Sequence, residues 1–197
     1  MAPDLICPRC GRFQEDAGID VHGHLCRECR RRPSPVSQMR APLRYQEPLS
    51  QVIHHFKYEG YFALAEPLAK FMIAGWPAWD QPPDLILPIP LHPRRRRQRG
   101  YNQSELLARP LGRAINIDLD TTSLQRTRHT APQVGLGPEE RHENVHNAFL
   151  AAAGVRGRHI VLVDDVLTTG ATMRSAAEAL LAAGAATVSA YCLARVG

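Results

Sequence analysis

The chain is predicted to fold as an α/β protein, a mostly parallel sheet flanked by helices, with a small zinc ribbon at its N-terminus. Three observations predict this. Apolar runs of strand length, "DLILPIP", "HIVLVDDV" and "ATVSAYCLA", alternate with segments of helical period, and such alternation favours parallel strands joined by crossover helices. Four of the five cysteines stand in Cys-x-x-Cys pairs within the first thirty residues. Two adjacent aspartates end an apolar run directly before a turn rich in threonine and glycine, in "IVLVDDVLTTGATMRSAAEALLAAGA". A chain of 197 residues accommodates one domain of about 150 residues and a small appendage. The expected division is a ribbon over 1–32, a linker over 33–47 and an α/β domain over 48–197.

The ribbon rests on "CPRC" and "CREC", which place Cys7, Cys10, Cys26 and Cys29 with fifteen residues between the pairs. Each knuckle aims two thiolates at one point, and two knuckles complete a tetrahedral site for a structural Zn2+. Two disulfides are the alternative, disfavoured in a chain without an export signal, and His22 or His24 could replace a thiolate. Apolar residues are few before Pro33, so metal binding is expected to supply most of the folding free energy of this segment.

After the ribbon, "RRRPSPVSQMRAPLRYQEP" is rich in proline and arginine and reads as a linker with little helical potential. Leu49, Val52, Ile53 and Phe56, then Leu64, Leu68, Phe71 and Met72, recur with helical spacing, which predicts two packed helices joined near Gly60. His54, His55 and Tyr58 read as helix surface. "DLILPIPLHP" is a short strand ended by prolines, and "RGYNQSELLARPLGRAI" a helix. The polar region "TSLQRTRHTAPQVGLGPEERHENVHNAF" reads as a strand, a long excursion and a return. "HIVLVDDV" is a buried strand, "ATMRSAAEALLAAG" a helix closed by Gly184, and "ATVSAYCLA" a last strand in which Cys192 is a core residue.

Composition narrows the function classes. No apolar run is long enough to span a bilayer and no signal peptide is legible, so a cytoplasmic protein is expected. The net charge is +5, yet the window from His92 to Arg113 holds seven arginines against Glu105 alone and carries +6, leaving −1 for the rest. That basicity is local, and suits a phosphorylated ligand, a nucleic-acid backbone or a solvated face.

Adjacent aspartates at the end of a buried strand are costly unless something pairs with them. In an open parallel sheet, ligands bind at the carboxyl ends of strands, where Asp164 and Asp165 stand. The following "VLTTGAT" leads into a helix, so backbone amides and the hydroxyls of Thr168, Thr169 and Thr172 can meet a phosphate monoester, with Gly170 permitting close approach. The carboxylates would accept hydrogen bonds from vicinal hydroxyls, which together imply a ribose phosphate. A Walker loop is excluded, because no Gly-Lys-Ser/Thr follows a glycine-rich run.

"VLVDDVLTTGAT" resembles the signature of type I phosphoribosyltransferases, which bind phosphoribosyl pyrophosphate (PRPP). With "PIPLHPRRRRQRGYNQSELLA", "APQVGLGPEERHENVHNAF" and the cysteine knuckles in this order, the chain resembles the ComF family, also called GntX, across nearly its whole length. That family pairs a zinc ribbon with a phosphoribosyltransferase-type domain, and members are associated with DNA uptake in natural competence. The resemblance implies that Asp164 and Asp165 hold the ribose hydroxyls, and that Thr168, Thr169, Gly170, Ala171 and Thr172 hold the 5′-phosphate. It further implies that the loop around Leu91 to Arg95, with His92, Arg94 and Arg95, meets the pyrophosphate with Mg2+. Arg99, Tyr101 and Asn102, together with Gln133, Arg141 and Asn144, would face the cleft from the other side.

Two readings of function follow. One is a phosphoribosyl transfer enzyme with an acceptor the sequence does not name. The other is a protein that keeps the fold and holds single-stranded DNA through the basic block and Tyr101, by phosphate contacts and stacking. The ribbon could also dock a protein partner.

Overall fold

The structure is a computed structural model and describes residues 6–13, 25–128 and 148–197. Within them the first knuckle leads to a short helix α1 (Arg27–Arg31), two short strands β1 (Met39–Arg40) and β2 (Leu43–Arg44), and the helices α2 (Leu49–Tyr58) and α3 (Ala65–Ala74). Next come β3 (Leu85–Pro88), α4 (Pro93–Arg99), α5 (Gln103–Ile115), β4 (Asp118–Leu119), β5 (Leu124–Arg126) and β6 (Phe149–Ala151). The chain closes with β7 (His159–Leu167), α6 (Ala171–Ala182) and β8 (Thr187–Arg195).

The sheet has the order β1-β8-β7-β3-β4, with β2 also on β8, and every one of these pairings is parallel. Both faces are covered, which explains why "IVLV" is apolar without alternation. Ile160 and Leu162 of β7 join Leu87, Val188 and the Met173, Ala177 and Leu180 stripe of α6. Val161 and Val163 point the other way, into a cluster with Ile53 and Phe56 of α2, Leu68 and Met72 of α3, and Leu107 and Leu111 of α5. Period-two alternation on the strands and period-3.6 stripes on the helices thus produce two cores on one sheet. Cys192 is fully buried in the first of them.

Most sequence expectations for the elements hold. The two helices meet around Gly60, which has φ +76°, and α6 ends before Gly184 at φ +97°. The strand and return of the polar region are β5 and β6, paired antiparallel; the excursion between them lies outside the described residues. Two differences have physical causes. Within the segment read as a linker, Met39–Arg40 and Leu43–Arg44 join the sheet, because the edge of β8 offers unpaired backbone groups that a parallel segment can satisfy. The arginine block, read as a loop from Leu91 to Arg95, is helical from Pro93 onward. Proline suits a first helical turn, His92 Nδ1 accepts from the Arg94 backbone amide at 3.2 Å, and Gly100 at φ +84° ends the helix.

The ribbon rests against the edge of this sheet. The Met39 amide donates to the Arg9 carbonyl at 2.7 Å, and the Arg44 guanidinium lies 3.9 Å over the Phe13 ring. Gly11, at φ +68°, passes so close that a Cβ there would stand 2.4 Å from the Met39 carbonyl oxygen.

Candidate functional site

The crevice opens because β3 stops early. Pro88 pairs with Val163, and the Ile89 amide still donates to the Val163 carbonyl at 2.8 Å. There the ladder ends. The Ile89 carbonyl accepts instead from Asn102 Nδ2 at 3.0 Å, and the Asp165 amide donates to Asp164 Oδ1 at 2.9 Å. β7 runs on beside β8 alone to Leu167, so both aspartates emerge where a neighbouring strand is missing. This is the position at which open parallel sheets bind ligands. A cavity of about 920 Å³ fills the gap.

Asp165 is 2% exposed, and its Oδ1 stands 2.9 Å from Lys57 Nζ. Its Oδ2 is buried without a hydrogen-bond partner among the described residues. Asp164 Oδ1 accepts from Ser104 Oγ at 2.7 Å. Burial, then the Asp165 charge, push the Asp164 carboxyl up to about 6, with Lys57 and the Ser104 hydroxyl acting against the shift. Burial alone would lower the Lys57 ammonium, but the Asp165 and Asp164 carboxylates outweigh it and hold its pKa above the ordinary value. A buried acceptor left open beside a shared cation suits a hydroxyl donor.

The loop after the strand forms the floor. Thr168, Gly170, Ala171 and Thr172 line the cavity, and α6 starts at Ala171 with no side chain capping it from Gly170. Gly170 sits at φ +76°; a Cβ there would lie 3.2 Å from Met39 Sδ on the far side, so the glycine serves backbone conformation as well as close approach. Thr169 turns away. Its carbonyl accepts from Arg174 Nη1 at 2.9 Å, and it borders a smaller cleft beside the ribbon rather than the main cavity. Such an N-terminus presents amides and a favourable potential to an anion.

Arg94, Arg95, Arg99 and Tyr101 from the basic segment also line the cavity. Arg99 lies 5.1 Å over the Tyr58 ring and donates to Gln103 Oε1, and the Tyr101 hydroxyl donates to the Phe56 carbonyl. His92 and Asn102 are not in the cavity wall; each caps a helix, His92 that of α4 and Asn102 that of α5, where its Oδ1 accepts from the Ser104 amide at 3.2 Å. Gln133, Arg141 and Asn144 lie outside the described residues, as do His22 and His24. Two contributors escaped the sequence reading. Ser104 carried no signal, but Lys57 did, since it falls four residues after Ile53 on the edge of the apolar stripe of α2.

Cys7, Cys10, Cys26 and Cys29 are all free thiols, and their sulfurs lie within 4.8 Å of one another. Cys10 Sγ and Cys26 Sγ are 3.8 Å apart, which is about the 3.8 Å edge of a tetrahedron with Zn–S bonds near 2.3 Å. The Cys26 amide donates to Cys7 Sγ at 3.4 Å. The donor set, spacing and amide support fit a structural zinc ion.

A family model described as "Phosphoribosyl transferase domain" matches residues 102–197, which span α5 through β8. Among solved structures, the chain is similar to adenine phosphoribosyltransferase from Leishmania donovani, with 18% identity, coverage of 81% of this chain and 71% of that one, and a TM-score of 0.43. The relatives in sequence are closer. The chain is 38% identical to the DNA utilization protein YhgH of Escherichia coli over 96% of this chain and 84% of that protein. It is 31% identical to Competence protein F of Haemophilus influenzae over 95% and 85%, and 30% identical to Competence protein ComFC of Bacillus subtilis over 96% and 78%. With this likeness spanning more than nine-tenths of the chain, the chain belongs to the ComF family.

Proposed function

We propose that the protein binds PRPP, or a related ribose phosphate, at the carboxyl edge of β7, and acts in the handling of DNA during its uptake. The observation that carries the first part is Asp165, a buried carboxylate whose Oδ2 has no hydrogen-bond partner among the described residues and which lines the same cavity as Thr168 and Thr172. Vicinal hydroxyls are the donors that would complete the acidic pair, and a 5′-phosphate is the anion that a helix start of this kind accepts. The names of the relatives support the second part, and the same reading places the protein in the cytoplasm.

In a transfer reaction the residues of the chain would divide the work. The acidic pair and the turn would fix the sugar, and Arg94, Arg95 and Arg99 would draw charge from the departing pyrophosphate. Magnesium would arrive with the pyrophosphate and screen its charge. Zinc in the ribbon would be structural, and the ribbon is also the natural surface for a protein partner.

A second reading is favoured by one specific observation. α4 carries five arginines in seven residues, next to exposed Tyr58 with Arg99 over its ring. That combination of cations and an open aromatic face is suited to single-stranded DNA without any transfer chemistry. Calorimetry with PRPP, ribose 5-phosphate and pyrophosphate in millimolar magnesium separates the readings. Heat with PRPP that disappears when Asp164 and Asp165 are both changed to asparagine supports the first. An absence of heat with all three ligands refutes it and leaves the DNA-binding reading.

A further inference from the structure

Lys57, which forms an ion pair with Asp165, comes from outside the stretch matched by the phosphoribosyltransferase model, which begins at residue 102. It reaches the site from the last turn of α2, where a lysine replaces the apolar residue that the helical stripe would carry. The side chain is mostly buried, its ammonium contacts Asp165 Oδ1, and the residue lines the cavity. Two adjacent carboxylates with one contacting ammonium form a cluster of net charge −1. Without that ammonium the cluster would be −2, and like charges at this spacing do not both ionise readily.

We propose that Lys57 is the positioning residue that keeps Asp164 and Asp165 ionised together, and that it thereby sets the pH range in which the site accepts vicinal hydroxyls. The proposal rests on the reading that the pair binds a ribose. Its structural basis is the 2.9 Å contact, together with the fixed geometry around it. Ser104 Oγ donates to Asp164 Oδ1 at 2.7 Å and restrains that carboxylate beside Asp165. Among the described residues, the other charged or titratable groups around the cluster are Arg126 of β5, whose guanidinium interacts with Asp164, Cys192 of β8, Tyr58 beside Lys57 on α2, and, lining the same cavity, His54 of α2 and Arg94, Arg95 and Arg99 of α4. Burial lowers the Arg126 guanidinium and raises the Cys192 thiol, and a thiol pushed upward stays neutral near pH 7. Lys57 also lowers the charge that a polyanionic ligand meets, so it favours PRPP over the same site without a cation.

The test uses the full chain and its Lys57→Met and Lys57→Arg variants. Aspartate carboxyl carbons labelled with 13C are titrated by NMR in the protein alone, and ribose 5-phosphate binding is measured by calorimetry from about pH 6 to about pH 9. In Lys57→Met the carboxyl titration should move up by a pH unit or more. For a carboxyl moved from about 6 to about 7, ribose 5-phosphate should bind about twofold more weakly near pH 7 and about fivefold more weakly near pH 6, and recover the wild-type affinity near pH 9, because the ionised fraction falls from about nine-tenths to about one-half at pH 7 and from about one-half to about one-tenth at pH 6. Lys57→Arg should restore the wild-type profile. Superimposable titrations in Lys57→Met and wild type would overturn the proposal, as would a loss of binding that is equal at every pH. If Lys57→Met fails to fold, the wild-type protein still decides: the Lys57 Nζ resonance must follow the aspartate titration, and independence of the two overturns the assignment. If the carboxyl titration moves but the wild type binds no ribose 5-phosphate at any pH, the role of Lys57 stands and the ribose-phosphate reading fails.

Discussion

Changing Asp164 to asparagine should make the protein more stable at neutral pH while weakening its binding of ribose phosphates. Asp164 is an ionised carboxylate held in a poor environment, with burial and the Asp165 charge raising its pKa to about 6 from an ordinary value near 4. A shift of about two units corresponds to roughly 3 kcal/mol, at 1.36 kcal/mol per unit. Because the folded-state value is raised, the protonated form favours folding: its contribution is fully present below about pH 4 and is lost as pH rises through about 6. Above that, the wild type bears the whole cost of a charge it would otherwise shed. Asparagine carries no charge, and its Oδ1 can still accept from Ser104 Oγ and from the Asp165 amide, the two donors that hold the native side chain. The variant should therefore exceed the wild type by up to about 3 kcal/mol at pH 8, a rise in Tm of about 6–12 °C for a chain of this size. The advantage should shrink toward zero near pH 4. Urea unfolding of the two proteins in parallel at several pH values measures this, and zinc loss at low pH affects both alike. A variant no more stable than wild type at pH 8, or an advantage that does not change with pH, would refute the reasoning. Each charge-assisted hydrogen bond to a hydroxyl contributes on the order of 1.5–3 kcal/mol, so ribose 5-phosphate binding should fall by tenfold or more in the same variant.

Three other outcomes are expected. Replacing Cys26 with serine should reduce zinc measured by elemental analysis, while the main domain, with its own two cores, keeps a cooperative melt at a lower midpoint because Met39 and Arg44 lose their contacts to the ribbon; unchanged zinc would sink the tetrathiolate assignment. Replacing Gly170 with valine puts a branched side chain at φ +76° and within 3.2 Å of Met39 Sδ, so affinity for inorganic phosphate or ribose 5-phosphate in calorimetry should drop, and wild-type affinity would show that the turn does not hold the phosphate. Changing Arg94, Arg95, Arg96 and Arg97 to glutamine should flatten the salt dependence of single-stranded DNA binding; if about four phosphates are neutralised, the wild-type log-log slope lies near −3, from about −0.7 per phosphate, and a slope untouched by the change would assign α4 to the cavity alone.

What the sequence by itself determined was everything carried by local pattern. Strand and helix alternation implied a parallel sheet, because each element must bury its stripe against the next. The paired Cys-x-x-Cys knuckles implied a four-thiolate cluster, and the aspartates before a threonine and glycine turn implied a site at a strand end, since spacing along the chain sets both. Only the tertiary structure decided the features that depend on distant residues meeting. Lys57 lies 108 residues before Asp165, and only the packing of α2 on β7 joins them. The crevice exists because the backbone groups of Ile89 and Asp165 find side-chain partners in Asn102 and Asp164 instead of each other, a choice no periodicity encodes. His92 and Asn102 are ligand residues by what the family resemblance implies and helix caps by their geometry, and part of a proline-rich segment that reads as a linker became sheet because β8 had an open edge. Period and spacing are properties of the chain alone, whereas charge pairing, capping and edge filling depend on which groups folding brings within about 3 Å of one another.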